Sequence, residues 1–233
     1  MKEIIISTHI PKCGGTTLKN ILNEVYGKGF KWVLQTKFPE EAIKEINFDT
    51  VECIHGHVSY GLHKFFPKEI SYKYVTFLRN PYDRLLSFYN FLLQNQNTYI
   101  VYDWKNTYGW KQDMPFEDWL ADVKIAGQDN DVVRFFSGMS NLNTHEITRK
   151  VNAFDFRIAD ENLKTYDFVG NIEDFDNDII DLAKLLKWKK IPEYKKDNYF
   201  PNRITVDDLT DEEVHLIGKT QFYDIALWNR RPI

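Results

Sequence analysis

The chain has 233 residues, 43% of them hydrophobic and 27% charged, with a formal net charge of −4. At roughly 150 residues per domain this is one domain, or one with an insert, long enough to bury a core without staples. Two cysteines exclude a disulfide framework, no apolar run approaches the ~20 residues of a membrane helix, and the acidic balance argues against a dedicated nucleic-acid binder.

The N-terminal run MKEIIISTHIPK is too short in apolar residues for a secretory leader and reads instead as a first strand over residues 3–7. A continuous β-branched run of this kind suits a strand buried on both faces. After the turn at Pro11–Gly15, the period of Leu18, Ile21, Leu22 and Val25 predicts a helix over residues 16–25. Residues 51–54 (VECI) and 73–78 (KYVTFL) read as second and third strands. Asn80 and Pro81 then give an N-cap and a first helical position, followed by an apolar stripe from Tyr82 to Leu93. Residues 94–115 are polar and aromatic and read as a long loop, lid or insert, a length that in compact domains usually carries function. Short helices are expected over 116–123 and 131–136, a fourth strand over 168–171, and a helix over 177–188. Residues 187–203 form a basic loop, and Thr210 with Glu213 makes a capping box for a closing helix. Strands alternating with helices predict an α/β three-layer sandwich around a central parallel sheet, with residues 1–233 forming a single domain. No repeat or low-complexity segment interrupts it.

Three segments carry chemistry. His9-Ile-Pro-Lys-Cys-Gly-Gly-Thr-Thr-Leu18 lies between the first strand and helix, where Gly14 and Gly15 let backbone N–H groups turn toward an anion. Lys12, Thr16 and Thr17 add donors, so a phosphate fits. The order differs from a Walker A loop, whose lysine follows the glycines. Cys13 also invites a phosphatase reading, but the downstream position that would clamp phosphate holds Lys19 rather than arginine. The bland alternative is a tight turn beside a solvated lysine.

Arg79-Asn-Pro-Tyr-Asp-Arg84-Leu-Leu-Ser87 runs from the carboxyl end of the third strand, the ligand-binding edge of open α/β sheets, into a helix. Arg84 and Ser87 are helical neighbours suited to a second phosphate, against the plain reading of a surface arginine and an exposed serine. His55-Gly56-His57 follows the second strand, and residues two apart in extended backbone face one side, so both imidazoles point into one cleft. Histidine suits a general base on an alcohol. A metal site is the rival, without a partner set at ligand spacing, and structural histidines are the bland reading.

Taken together, these segments resemble the sulfotransferases that use 3′-phosphoadenosine 5′-phosphosulfate (PAPS), nearest to the branch of the heparan sulfate and uronyl 2-O-sulfotransferases and their small bacterial relatives. HIPKCGGTTL resembles the family's 5′-phosphosulfate loop, FLRNPYDRLLSFY its 3′-phosphate motif, and HGH the paired histidines of the 2-O branch. The resemblance implies the P-loop nucleotide-binding type of fold and sulfuryl transfer from PAPS to a hydroxyl acceptor, a saccharide or small molecule, leaving 3′-phosphoadenosine 5′-phosphate (PAP), with no metal required. It assigns Lys12 to the 5′-phosphosulfate, with Cys13, Gly14, Gly15, Thr16 and Thr17 around the 5′-phosphate. Arg79 and Ser87 would hold the 3′-phosphate and Arg203 would close a late loop over the cofactor. His57 would be the base, with His55 orienting it or the acceptor. The aromatic residues Tyr99, Tyr102, Trp104, Tyr108 and Trp110 would stack on an acceptor or pack under the loop. The chain has no anchor before its first strand, so a soluble, cytoplasmic enzyme without nucleic-acid partners is expected. A P-loop kinase and a PAPS-binding module without turnover are the alternatives.

Overall fold

A computed structural model of the chain describes residues 2–33, 43–95, 113–121, 129–139, 149–195 and 203–232. Strand β1 (Glu3–Thr8) supplies Ile4, Ile5 and Ile6, all buried, because it lies at the centre of the sheet with partners on both sides. The sheet has five strands in the order β2-β3-β1-β4-β5, and every neighbouring pair is parallel. The others are β2 (Phe30–Val33), β3 (Cys53–Gly56), β4 (Ser71–Leu78) and β5 (Phe168–Asn171).

Alternation along the strands divides the core into two. Ile5, Cys53, Val75 and Phe77 face α1 (Gly15–Tyr26), through Leu18, Ile21 and Leu22. Ile4, Ile6, Ile54, Tyr74 and Leu78 face the opposite way. Helices thus cover both faces, giving the three layers expected. Against the second face lie the helix of Asp131–Ser137, the helix of Ala153–Leu163 and the last helix, Phe222–Arg230. A third cluster joins α2 (Pro81–Asn95) to α3 (Phe116–Ala121) through Leu85, Tyr89, Trp119 and Leu120. In chain order the remaining helices are α4 (Asp131–Ser137), α5 (Ala153–Leu163), α6 (Phe175–Leu185), α7 (Asp211–Thr220) and α8 (Phe222–Arg230).

The caps follow the sequence. The Asn80 side chain accepts from the Tyr82 N–H at 3.0 Å and the Asn80 carbonyl from the Arg84 N–H, opening α2. Thr210 and Glu213 form the capping box of α7. Four expectations need correction. A fifth strand, β2, sits at the sheet edge. The strand expected at 51–54 instead runs Cys53–Gly56 and so contains His55. Helix α5 was not expected, and the closing helix is two, broken at the fully buried Gln221. The expected lid and its aromatic residues fall largely on residues 96–112, outside the described residues. Among the described residues no helix is long and apolar enough to cross a membrane.

Because β1 lies between β3 and β4, its carboxyl end is where connections leave for opposite sides of the sheet. Open α/β sheets bind ligands in the crevice at such a switch point. All three chemical segments end there.

Candidate active site

β1 ends at Thr8 and α1 begins at Gly15, so the chain must reverse in six residues. It does so through left-handed backbone at Lys12 (φ 69°) and Gly14 (φ 70°). For a lysine this conformation costs about 1–2 kcal/mol, a strain of the kind that concentrates at functional sites. Gly15 is required by close approach: a Cβ there would lie 1.8 Å from Cδ2 of His9. Thr16 is exposed and Thr17 buried in the first turn of α1. The Cys13 N–H donates to the Ile10 carbonyl at 3.2 Å, and its side chain is buried in the core. Burial pushes its thiol up to about 12, which removes the thiolate a nucleophile needs. Cys13 therefore shapes the turn.

A basic cluster gathers around this loop. Arg79, just past β4, directs Nη1 to the Lys12 carbonyl at 3.5 Å, and its Nε is buried without a hydrogen-bond partner. Burial lowers the Arg79 pKa first. The fields of Asp83 and Glu173 oppose that shift, while Arg203 reinforces it. Lys12 is drawn down to about 8, by burial and then by the Arg79 charge. Its ammonium rests over the Phe91 ring, 4.3 Å from the centroid. Ser87 and Phe91 are four apart on α2 and share a face, so the half-buried Ser87 lies on the side of the helix turned to Lys12. Lys12 and Arg79 thus meet beside the glycine loop, with Ser87 on the facing side of α2. Repulsion between Lys12 and Arg79 and a buried guanidinium N–H without a partner among the described residues are relieved together by an anion. A doubly phosphorylated nucleotide fits this donor set.

Arg84 does not belong to that site, contrary to the pairing with Ser87 that helical spacing suggests. Its side chain is buried between Asp131 (3.5 Å) and Asp224 (3.7 Å) and donates to Gln221 Oε1 at 3.2 Å. Asp224 in turn accepts from the N–H groups of Val132 and Val133 at the start of α4. This is an internal brace joining α2, α4 and α8. From the basic loop, the Arg203 charge acts on Arg79, and residues 196–202 lie outside the described residues.

The histidines separate into different roles. His55, within β3, is fully buried, with Nε2 3.2 Å from the Gly15 carbonyl and Nδ1 2.8 Å from Ser7 Oγ. A carbonyl only accepts, so Nε2 carries the hydrogen and Nδ1 accepts from the serine hydroxyl. Burial drives its pKa to about 3, which keeps it neutral. His57, one step beyond the strand, is half-buried, and its Nδ1 lies 2.9 Å from the His9 carbonyl oxygen. The same logic puts the hydrogen on Nδ1 and leaves the Nε2 lone pair available. Burial lowers its pKa too, partly offset by that hydrogen bond. So the two imidazoles do not share a cleft as expected: His55 is a core residue, and His57, just past the strand, is half-buried. One residue of this cluster lacked any signal in the sequence. Trp32, on the unexpected β2, has its ring 5.9 Å from that of His57 and 5.3 Å from that of His55. The His9 ring stacks on His57 at 4.3 Å. Among the described residues no group of three or more His, Cys, Asp or Glu is placed to hold a metal ion.

A family model described as "Sulfotransferase family" matches residues 2–224. Among solved structures, the crystal structure of mouse sulfotransferase SULT7A1 complexed with PAP is similar at 12% identity and a TM-score of 0.42, covering 96% of this chain. The chain spans 66% of that protein's length. No curated protein matches the chain.

Proposed function

The chain belongs to the sulfotransferase family, and on that premise we propose that it transfers the sulfuryl group of PAPS to a hydroxyl acceptor, acting as a single domain. The observation that carries the reading is the convergence, at the carboxyl edge of the sheet, of the glycine loop, the orphan Arg79 guanidinium and a neutral His57 with its Nε2 lone pair available. When bound, PAPS supplies a sulfuryl group on a phosphate leaving group. The work left to the protein is in-line positioning and charge stabilisation.

Gly14, Gly15, Thr16 and Thr17 cradle the 5′-phosphate at the start of α1. Lys12 steadies charge on the oxygen that leaves, and an anion beside it restores the protonation that burial and Arg79 weaken. Arg79, Ser87 and Arg203 hold the 3′-phosphate. These cations supply the neutralisation that a divalent ion gives many ATP enzymes, so no metal is required. His57 takes the acceptor's proton at Nε2 as the new oxygen–sulfur bond forms, and His55 supports it from within the core. The HGH pair and the HIPKCGGTTL loop favour the 2-O branch and a saccharide acceptor.

The test is to incubate the protein with radiosulfur-labelled PAPS and a panel of saccharides and small alcohols. Label appearing on a hydroxyl, with PAP as co-product, is the expected result. A protein that neither binds PAP nor releases it from PAPS would overturn the reading.

A further inference from the structure

His9 opens the glycine loop but is not among the groups that meet the anion. Its backbone clamps the histidine segment twice: its N–H donates to the Gly56 carbonyl at 2.8 Å, and its carbonyl accepts from His57 Nδ1 at 2.9 Å. The imidazole is then gripped on several sides. It stacks on His57 with centroids 4.3 Å apart and planes 21° apart, and on His55 at 5.2 Å and 10°. Trp32 closes on it at 5.8 Å. Its edge fills the space where any Cβ at position 15 would stand. Its Nδ1 is buried with no partner among the described residues. Buried polar atoms are nearly always bonded, so this ring is held by packing on its faces rather than by hydrogen bonds of its own.

We infer that His9 is a positioning residue: its flat ring, wedged between Gly15 and His57, together with its carbonyl, couples the phosphate loop to the base and fixes which nitrogen of His57 faces the acceptor. This rests on His57 being the base. The coupling gives Gly15 a second reason to lack a side chain, since one methyl there would drive the wedge into His57. Charge around the wedge is cationic or neutral: His55, His57, Lys12 and Lys19 all disfavour protonation of His9, after burial itself. The Lys19 ammonium sits over Trp32 at 4.6 Å, on the ring that packs against His9. His9 is therefore neutral, and its stacked partner is not repelled when it takes a proton.

The test is nitrogen NMR of isotopically labelled histidine on the full chain without cofactor, which reads tautomer and titration of His57 directly. In the unmodified protein His57 should be the Nδ1–H tautomer and titrate below 6.5. In His9→Ala, water reaches His57, its midpoint should return toward that value, and both tautomers should appear. The acidic limb of the rate profile should move to higher pH, and kcat should fall roughly tenfold with the KM for PAPS within about threefold. His9→Phe, which keeps the flat ring, should leave tautomer and midpoint as in the parent. An unchanged His57 in His9→Ala, or a His57 as perturbed in His9→Phe as in His9→Ala, would overturn the inference. Should His9→Ala not fold, the Nε2–H tautomer in the unmodified protein would overturn it equally. Failure of PAP binding or sulfuryl transfer would instead sink the sulfotransferase reading and leave the spectra as they stand.

Discussion

The Arg79 guanidinium lies 3.5 Å from the Lys12 carbonyl oxygen, latching the residue after β4 to the left-handed lysine of the glycine loop. Its buried Nε has no partner among the described residues, which leaves one donor for an added anion. A charge-assisted hydrogen bond is worth about 1.5–3 kcal/mol. Arg79→Ala should therefore weaken PAP by roughly tenfold to a hundredfold while changing ADP by no more than about threefold. Titration calorimetry of the variant with both nucleotides checks this, and equal losses would remove Arg79 from the 3′-phosphate.

His57 combines a fixed Nδ1 hydrogen with an available Nε2. Removing a general base costs roughly a hundredfold to ten-thousandfold in rate. His57→Ala should show that loss of transfer and keep PAP affinity within about threefold, because none of the cations reached by the nucleotide is touched. A parallel loss of PAP binding would show that His57 belongs to the cofactor pocket instead.

Arg84 shares its buried side chain between Asp131 and Asp224, both nearly or fully buried. Breaking such a pair leaves carboxylates without compensation, at about 3–5 kcal/mol. Arg84→Ala should lower the denaturant midpoint by a corresponding amount. An unfolding free energy within about 0.5 kcal/mol of the parent, the range of ordinary surface substitutions, would contradict the brace.

His55 is held at about 3 by burial, against an ordinary 6.5. The unfolded chain then binds a proton that the folded one refuses, so this residue's contribution to stability is present above 6.5 and lost as pH falls toward 3. At about 1.4 kcal/mol per unit the loss is on the order of 4 kcal/mol. Asp131, raised to about 7 by burial, works in the opposite sense over part of this range. The difference between parent and His55→Gln isolates the histidine: the parent should lose that stability between neutral and acid pH, and the variant should not. Parallel stability curves would contradict a neutral, buried His55.

Much of this was legible along the chain. The β-branched run of β1, the glycine turn, the 3.6 period of α1 and the Asn80–Pro81 cap are local signals, and they place Lys12, Arg79 and His57 at one edge of the sheet. What escaped was set by partners distant in sequence. β2 is four residues with only Val33 buried, too short to read, yet it brings Trp32 to the histidines. Helix α5 carries a local sign, the Asn152–Asp155 capping box, that went unread because its apolar stripe is weak. The break at Gln221 involves neither glycine nor proline. Arg84 looked like a phosphate ligand because helical spacing shows which residues are neighbours and not which way their face turns; only Asp131 and Asp224 fix that. Spacing alone put His55 and His57 in one cleft; they part because β3 continues through Gly56 and buries His55.

The central claim is that the site at the carboxyl edge of β1 and β4 holds a 3′-phosphorylated adenine nucleotide without metal. Calorimetric titration with PAP in chelator, and separately with ADP plus magnesium, tests it most directly. Micromolar binding of PAP with little heat from ADP is the predicted result. Preference for ADP with magnesium would contradict it, and the roles of Arg79 and Ser87 would fall with it.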